Sequence, residues 1–375
     1  MITLRGITWD HARGYDPLAA SVQPYAEQFG VQITWEKRSL KDFGDLPIDQ
    51  LAERYDVLII DHPHVGLAAA TGALLPLDEC LPEATLATLA AQSAGASHAS
   101  YTYAGHQWGL AIDAAMQTAV YRPDLLENAP PASWDAVLAL ARRLREKDLY
   151  IAIPLAPTDC ICCLSTLCAN QGQPPGANGH FIDETTGAQM LDLLAELHAL
   201  CHPLSLSWNP IGMLDYMSSA DDVVYCPLTF CYTNYSRSNY APRLLQFTDI
   251  PGVRGSILGG TGYAVSARCP HPAEACAYGA WLCSAEIQRT LYVDHGGQPG
   301  NREAWLDDHA NAITSNFFRS TLATLEAAFV RPRHNGYIEF QEEAGNRIHA
   351  VLRDGTASLD CIRGLNRLYD ETRRV

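Results

Sequence analysis

The sequence has no apolar segment long enough to cross a membrane as a helix. The longest, Val65 to Leu77, is broken by glycine and is shorter than the roughly 18 residues that a bilayer requires. The N-terminus also lacks the apolar core of a signal peptide, because Ile2, Leu4 and Ile7 alternate with polar residues and Asp10 follows soon after. These absences predict a protein that does not span a membrane and that is cytoplasmic as the sequence stands.

Basic residues are also scarce. The chain carries 26 Lys and Arg residues against 42 Asp and Glu, which gives a formal net charge of −16. Nucleic acids and anionic lipids are bound by clustered Lys and Arg, so this balance argues against both as partners. What the chain does have is 375 residues that are 47% hydrophobic, enough for a sizeable core in two or three domains or in one large two-lobed unit.

The twelve cysteines lie mostly in apolar segments, and the chain is too long to be a small disulfide scaffold. We therefore expect buried free thiols, which persist in a reducing compartment. Cys160, Cys162, Cys163 and Cys168 lie close together, and zinc binding is the alternative for this cluster. Their Cys-x-Cys-Cys spacing matches no common zinc pattern, so we expect apolar packing and predict no metal or cofactor.

Strands and helices alternate in the N-terminal part of the chain. The predicted strands run from Ile2 to Trp9, Val31 to Trp35 and Asp56 to Asp61, and Asp16 is the expected N-cap of the first helix. The third strand is apolar throughout, as in a parallel sheet covered on both faces. This order predicts a parallel α/β lobe with right-handed crossovers.

A second set of α/β elements follows. Tyr150 to Leu155 is expected to start another sheet, a helix is predicted from about Leu164, and Val223 to Phe230 is a further strand.

The segment Gly255 to Trp305 has the most informative pattern. A strand loosened by glycines, Ile257 to Ser266, precedes a helix opened by prolines, a second helix capped by Ser284, and a turn from Gly296 to Arg302. This order resembles the C-terminal half of extracellular solute-binding proteins of the sugar-binding type. Those proteins are the two-lobed ligand receptors of ABC importers, and the resemblance extends more weakly over nearly the whole chain.

The resemblance implies a periplasmic-binding-protein-like type II fold, in which two α/β lobes are joined by two hinge crossings. Lobe one would contain residues 1–113 plus 262–312, and lobe two residues 114–261 plus 313–375. The implied function is binding of a small polar ligand, such as a sugar, a polyol or a small carboxylate, in the cleft between the lobes. The protein would be a monomer that serves an ABC permease if exported, or a cytoplasmic derivative of such a receptor; a periplasmic protein whose signal peptide has been removed is the alternative compartment.

Ligands of open α/β sheets bind beyond the carboxyl ends of the strands, and in the family the same loops face the cleft. The ligand-binding residues predicted in these loops and crossings are Trp9, Asp10, His11, Arg13, Asp61, His62, His64, Asp113, Asp159, Cys160, Tyr225, Tyr232, Tyr235, Gly260, Thr261, Gln298 and Arg302. Aromatic faces can stack on a sugar ring, Asp and His can bond hydroxyls, and Arg13 or Arg302 can grip a carboxylate. A structural role competes in each case: Trp9 and both tyrosines could be core residues, and Arg302 could form a surface pair.

An enzyme on the same fold is the alternative function. It would use the cluster Asp10, His11, Asp61, His62 and His64, with Asp113 nearby, for acid–base or metal-assisted chemistry. Nothing like His-Glu-x-x-His fixes a metal geometry in these segments. A nucleophilic Cys160 or Cys226 paired with a histidine is a further alternative, and Gly259 to Gly262 lacks the lysine and spacing of a phosphate loop.

Overall fold

The computed structural model describes residues 2–177, 179–253 and 255–374. The strands are β1 (Ile2–Trp9), β2 (Val31–Arg38), β3 (Val57–Ile60), β4 (Thr102–Tyr103), β5 (His106–Gln107), β6 (Leu110–Tyr121), β7 (Tyr150–Ile151), β8 (Val223–Phe230), β9 (Gln246–Thr248) and β10 (Leu258–Val265). The helices are α1 (Ala12–Phe29), α2 (Leu40–Asp45), α3 (Ile48–Ala52), α4 (Val65–Thr71), α5 (Glu83–Ala91), α6 (Ser97–Ser100), α7 (Trp134–Arg145), α8 (Pro157–Asn170), α9 (Glu184–Leu200), α10 (Pro210–Ser219), α11 (Pro272–Leu282), α12 (Ala285–Ile287), α13 (Arg302–Leu306), α14 (Asp308–Ile313), α15 (Phe317–Glu326), α16 (Tyr337–Asp354) and α17 (Ser358–Thr372). The order of strands and helices confirms the predicted α/β class.

The main sheet has the strand order β2-β1-β3-β10-β6-β8-β7, with β9 also paired to β6. Strand β1 pairs in parallel with β2 and β3, and β7 pairs in parallel with β8. Strand β6 pairs antiparallel with β10 over its first half, from Leu110 to Met116, and with β8 and β9 over its second half, from Gln117 to Tyr121. The chain therefore passes along β6 from one part of the sheet to the other, and β10 lies beside it.

Strand β3 is buried on both faces, as its apolar sequence predicts. Val57 and Ile59 pack into a core with α1 and α11, whereas Leu58 and Ile60 pack into a separate core with α3 and α4. A further core joins β7 and β8 to α7, α8, α9, α16 and α17. The carboxyl end of β3, where Asp61 follows, is thus held by helices on either side.

The cysteines of α8 pack in the interior. Cys160, Cys162, Cys163 and Cys168 are buried, and so is nearly every other residue of this helix, as expected for a helix covered on all sides. All twelve cysteines are free thiols. Among the described residues, no three His, Cys, Asp or Glu side chains are grouped so that they could hold a metal ion, and none of the helices described is long and apolar enough to cross a membrane.

Two helices begin earlier than the sequence predicts. Helix α1 begins at Ala12 and not after Asp16, because the His11 ring accepts a hydrogen bond from the backbone N–H of Arg13 at 3.0 Å and caps the helix. Helix α8 begins at Pro157 and not near Leu164, since proline is well suited to the first helical position.

The strand predicted from Tyr150 to Leu155 is also shorter than expected. It ends at Ile151, because the backbone N–H of Leu155 donates to the carbonyl of Ser205 and not to a neighbouring strand.

Candidate functional site

A cavity of about 440 Å³ opens beside the crossing strands β6 and β10. It is lined by Trp9, Arg13, Leu40, Phe43, Gly44, Asp61, Ala115, Ala156, Pro157, Thr158, Asp159, Cys162, Asn209, Pro210, Phe230, Tyr232, Gly259, Gly260, Thr261, Arg331, Gln341, Glu342 and Asn346. The ends of β1, β3 and β8, the starts of α1, α8 and α10, and one face of α16 therefore meet around a single space. Its volume is in the range of small-molecule sites.

The structure brings seven of the predicted ligand-binding residues to this cavity. They are Trp9, Arg13, Asp61, Asp159, Tyr232, Gly260 and Thr261. Each ends or follows a strand, lies in the first turn of a helix, or lies on the crossing strand β10. The expectation that ligands bind beyond the carboxyl ends of strands thus identifies residues that line the cavity. Whether each one contacts a ligand stays a prediction.

Aromatic rings form part of the cavity wall. The rings of Trp9 and Phe43 lie 5.3 Å apart between centroids and are tilted by 44°. Phe230, at the end of β8, and Tyr232, two residues later, line the same space. The indole N–H of Trp9 is buried and has no hydrogen-bond partner within the described part of the chain. The wall thus combines ring surface with a residue, Trp9, whose buried donor has no partner among the described residues.

A buried ion pair fixes the first turn of α1 against β6. Arg13 Nε donates to one carboxylate oxygen of Asp113 at 2.8 Å, and Arg13 Nη2 donates to the other. Arg13 Nη1 donates to the carbonyl of Cys231 at 2.7 Å, and the guanidinium lies 4.7 Å from the ring centroid of Tyr232. Burial alone would lower the pKa of Arg13, but the charge of Asp113 outweighs it and raises that pKa. Bidentate pairing with a carboxylate thus occupies most of the guanidinium.

A second ion pair joins the end of β3 to the segment before α16. Arg331 Nη2 lies 2.7 and 2.6 Å from the two carboxylate oxygens of Asp61, and Arg331 Nη1 donates to Gln341 Oε1 at 3.0 Å. Burial would raise the pKa of Asp61, but the charge of Arg331 and the neighbouring His62 side chain lower it well below its usual range. The backbone N–H of His62 also donates to the Asp61 carboxylate at 2.8 Å. Arg331 Nε is buried without a partner in the described residues.

Asp159 differs from these pairs. It lies in the first turn of α8, is only 8% exposed and lines the cavity. No hydrogen bond or ion pair to its carboxylate occurs in the described part of the chain. Burial raises the pKa of Asp159 well above its ordinary value.

Strand β10 is irregular where it meets the cavity. Gly260 has φ 96°, a conformation that side chains rarely adopt, and a Cβ atom there would lie 2.4 Å from the carbonyl oxygen of Asp113. The register against β6 shifts between Thr261 and Gly262. Thr261 is 4% exposed, and its hydroxyl has no hydrogen-bond partner among the described residues. The shift thus occurs at a wall residue whose buried hydroxyl has no partner in the described structure.

Asp10 and His11 do not line the cavity. Asp10 forms a surface ion pair with Lys37 at 2.6 Å. His11 caps α1 and packs its ring edge against Tyr232, 4.9 Å away between centroids, so it supports the wall from behind. Burial and the charge of Arg13 lower the pKa of His11 to about 4.

His62 and His64 are fully buried in the turn after β3 and lie outside the cavity lining. His62 Nδ1 is 3.2 Å from Asp61, but without the alignment of a hydrogen bond. No ring nitrogen of either histidine has a hydrogen-bond partner in the described structure. Burial lowers the pKa of both residues to about 4, so both are neutral at pH 7. Both histidines are therefore part of the core and not of the cavity wall.

The remaining predicted residues serve other contacts. Cys160 donates its thiol to the carbonyl of Leu155 at 3.0 Å, and Tyr225 is buried in the core beside β7. Burial raises the pKa of Cys160 and of Cys226 well above that of an ordinary thiol, which argues against a nucleophilic thiolate at either position.

Tyr235 and Arg302 form pairs of their own. The Tyr235 hydroxyl donates to Asp215 at 2.6 Å, and Arg302 pairs with Glu326 at 2.7 Å on the surface. Each residue is thus held by a carboxylate and does not line the cavity, and a ligand-binding role for either stays a prediction.

Gln298 and Asp113 hold the crossing from behind the cavity. Gln298 Nε2 donates to the carbonyl of Ala114 at 2.7 Å, and its Oε1 accepts the backbone N–H of Thr233 at 3.0 Å. Asp113 is 1% exposed and faces Arg13. These residues position the wall and do not form its surface.

Several wall residues were missed by the sequence rule. Phe43 follows a strand at a distance, in α2, and Arg331 comes just before α16. Gln341, Glu342 and Asn346 lie on α16, whose amphipathic pattern indicates only a surface helix. The rule considers the carboxyl ends of strands alone, so it cannot find a helix face that returns to the cavity from the far end of the chain.

No protein-family model and no curated protein sequence matches the chain. Solved structures do match over its full length. An ABC transporter solute-binding protein from Thermotoga lettingae, bound with α-D-tagatose, is similar with a TM-score of 0.84 and 15% identity, covering 99% of this chain and 100% of that one. Maltose-bound T. maritima MalE3 has a TM-score of 0.84 at 18% identity, with 99% and 100% covered.

A third structure, an ABC transporter solute-binding protein from Agrobacterium radiobacter in complex with ribitol, has a TM-score of 0.80 and 18% identity, covering 99% of this chain and 98% of that one. These similarities confirm the predicted two-lobed fold of ABC transporter solute-binding proteins. At such low identity they show the fold alone, so function has to be argued from the cavity.

Proposed function

We propose that this protein binds a small polyhydroxylated ligand, a sugar or a polyol, in the cavity beside β6 and β10. It would act as the solute-binding component of an ABC importer or as a cytoplasmic derivative of one. The observation that carries the proposal is the wall itself, which combines aromatic residues with residues that have buried polar atoms without partners in the described structure. The three structures of similar fold, bound with tagatose, maltose and ribitol, support this ligand class.

Three wall residues have a buried polar atom without a partner in the described structure, and atoms of these kinds suit hydroxyl groups. The Trp9 indole N–H and Arg331 Nε can only donate, whereas the Thr261 hydroxyl can donate or accept. A hydroxyl group is both donor and acceptor, so several hydroxyls on one ligand can satisfy all three. Buried polar groups are costly when left unpaired, and a polyol would remove that cost at three points of the wall at once.

We propose that the cavity closes by a hinge motion of two lobes, residues 1–113 plus 262–312 and residues 114–261 plus 313–375. Strands β6 and β10 would contain the hinge, because they run beside each other through the sheet. Monomeric action and delivery to an ABC permease are part of the same proposal. The free state of all twelve cysteines favours a reducing compartment, and cell fractionation with an antibody against the protein would test this.

Titration calorimetry against hexoses, pentitols, hexitols and disaccharides tests the function. We expect at least one of these ligands to bind the wild-type protein, and Trp9→Ala to weaken it about 10- to 100-fold because ring surface and a donor are lost together. Trp281→Ala is the matched control, since Trp281 packs against Tyr25 and Tyr278 and does not line the cavity. A folded protein that binds none of these ligands would refute the proposal.

A further inference from the structure

The charges of the cavity wall do not balance. Arg13 is neutralised by Asp113, and Arg331 is neutralised by Asp61. Within the described residues that line the cavity, Arg13 and Arg331 are the cations, so neither has a charge left for Asp159. What remains on the wall is one unpaired buried carboxylate.

The backbone of α8 does not supply a hydrogen-bond donor to the Asp159 carboxylate either. As the third residue of α8 it could have accepted a backbone N–H of the first turn, but Ala156 caps the helix without a side-chain hydrogen bond and the Asp159 carboxylate makes none. The positive end of the α8 dipole favours the ionised form of a carboxyl group in this turn. An ionised carboxylate that is 8% exposed requires a cation or several hydrogen-bond donors.

Other residues of the wall also favour a positively charged ligand. Glu342 is an exposed acidic residue that also lines the cavity, on α16. Trp9, Phe43 and Phe230 present aromatic rings, whose faces attract cations as well as sugar rings. Asp159 lies within electrostatic range of Tyr232 and thus near this aromatic surface. Arg38 is the nearby exception, but it lies behind Phe43, donates to the carbonyl of Ile59 and does not line the cavity.

We infer that the ligand carries an amino group that forms an ion pair with the Asp159 carboxylate, so that the ligand is an amino sugar or an amino polyol. This inference rests on the proposed function and specifies its ligand class. The hydroxyls of such a ligand would meet Trp9, Thr261 and Arg331, as proposed above, and its ammonium group would supply the missing cation. A neutral sugar cannot supply that charge.

Matched ligand pairs test the inference. Each pair has one scaffold with a hydroxyl or an amino group at one carbon: D-glucose with 2-amino-2-deoxy-D-glucose, and D-sorbitol with 1-amino-1-deoxy-D-sorbitol. Calorimetry at pH 6.5 is expected to show the amine of a pair binding about 10- to 100-fold more tightly, because a hydrogen bond to a charged partner is replaced by a buried ion pair. Putrescine is included as an amine without hydroxyls.

The variant Asp159→Asn keeps the shape of the side chain and removes its charge. It is expected to abolish the preference for the amine, because the affinity for the amine falls much further than the affinity for the hydroxyl member of the pair. Asp135→Asn is the matched control, because Asp135 occupies the first turn of α7 and is exposed. Thermal unfolding of both variants establishes that each is folded before binding is measured.

The outcomes separate the two proposals. If a sugar or polyol binds but its amine does not bind more tightly, or if Asp159→Asn keeps the preference, the inference fails and the proposed function stands. If putrescine alone binds, the cavity takes amines without hydroxyls, and both the proposed function and the amino-polyol class fail. If neither a hydroxyl compound nor an amine binds the folded protein, both proposals fail as well.

Discussion

The variant Asp159→Asn is expected to be more stable than the wild-type protein in the absence of ligand. Asp159 is 8% exposed and its carboxylate has no partner in the described part of the chain, so folding takes this charge largely out of water without supplying a cation or a hydrogen-bond donor. Replacing the carboxylate by an amide keeps the shape and removes the cost of the charge. The amide remains a polar group without a partner, which costs about 1–3 kcal/mol, whereas a charged group costs more. The expected gain at pH 7 is the difference between the two costs, on the order of 1 kcal/mol.

The gain should depend on pH in a defined direction. Burial raises the pKa of Asp159 in the folded state above the ordinary value of 3.8. Between pH 3.8 and the raised pKa of the folded state, Asp159 has lost its proton in the unfolded chain and keeps it in the folded chain. Wild-type stability therefore falls as pH rises through this range, by up to about 1.4 kcal/mol per pH unit. Below the ordinary value both states are protonated and the contribution vanishes. The amide of the variant cannot titrate, so the difference in stability between variant and wild type should widen as pH rises from about 4.

Urea unfolding of both proteins at pH 4.5, 5.5, 6.5 and 7.5, without ligand, measures this difference directly. All other titrating groups are shared, so their contributions cancel in the comparison. For Asp135→Asn, at the exposed first turn of α7, stability should depend on pH as it does in the wild type. The claim that Asp159 is a buried charge without a partner would be refuted if the stability of Asp159→Asn also had the pH dependence of the wild type. It would equally be refuted if this variant were less stable than the wild type at pH 7.5.

Three further predictions concern the walls of the cavity. Arg13→Ala should destabilise the protein by about 3–5 kcal/mol in urea unfolding, because it leaves Asp113 buried and unpaired, and substituting Asp113 with Leu in the same protein should recover part of the loss; an additive double variant would contradict this. Gly260→Ala should cost at least about 1–3 kcal/mol, since φ is 96° and the new Cβ would meet the backbone; a stability equal to that of the wild type would rule out this conformation. His62 and His64, whose pKa burial lowers to about 4, should reduce stability as pH falls from about 6.5 towards 4, because the unfolded chain takes up their protons first; the variant with Gln at both positions should show a flatter pH dependence.

The sequence was sufficient for the elements that depend on local patterns. The apolar run of β3 and the glycines of β10 predict a doubly covered strand and an irregular crossing, and both occur. The start of α1 was predicted too late, because the capping group is a histidine ring and not the more common Asp16. Arg13 lies on the cavity wall, after β1, but no sequence pattern indicates its pairing with Asp113.

Ion pairs between residues that are distant in the chain cannot be predicted from local sequence patterns. Arg331 and Asp61 are 270 residues apart, and nothing near either residue indicates the other. Asp159 was placed in a loop after a strand, whereas it lies in the first turn of a buried helix. That difference matters physically, because a carboxylate in a surface loop is exposed, whereas Asp159 is 8% exposed and has no partner in the described part of the chain. Burial, and hence the unpaired charge, is a property of the packed chain.

The wall therefore contains two kinds of polar group with different consequences. Arg13 and Arg331 are already paired in the absence of ligand, so replacing either one should lower stability and, by loosening the wall, weaken binding as well. Asp159 and Thr261 are buried and unpaired, so replacing them by Asn and Val should weaken binding while stability stays equal or rises. A ligand that bonds to Asp159 and Thr261 gains affinity, because it removes the free-energy cost of leaving these buried groups unpaired. If Asp159→Asn or Thr261→Val lost stability and affinity together, these groups would have partners within the protein, and the cavity would not be prepared for a ligand in this way.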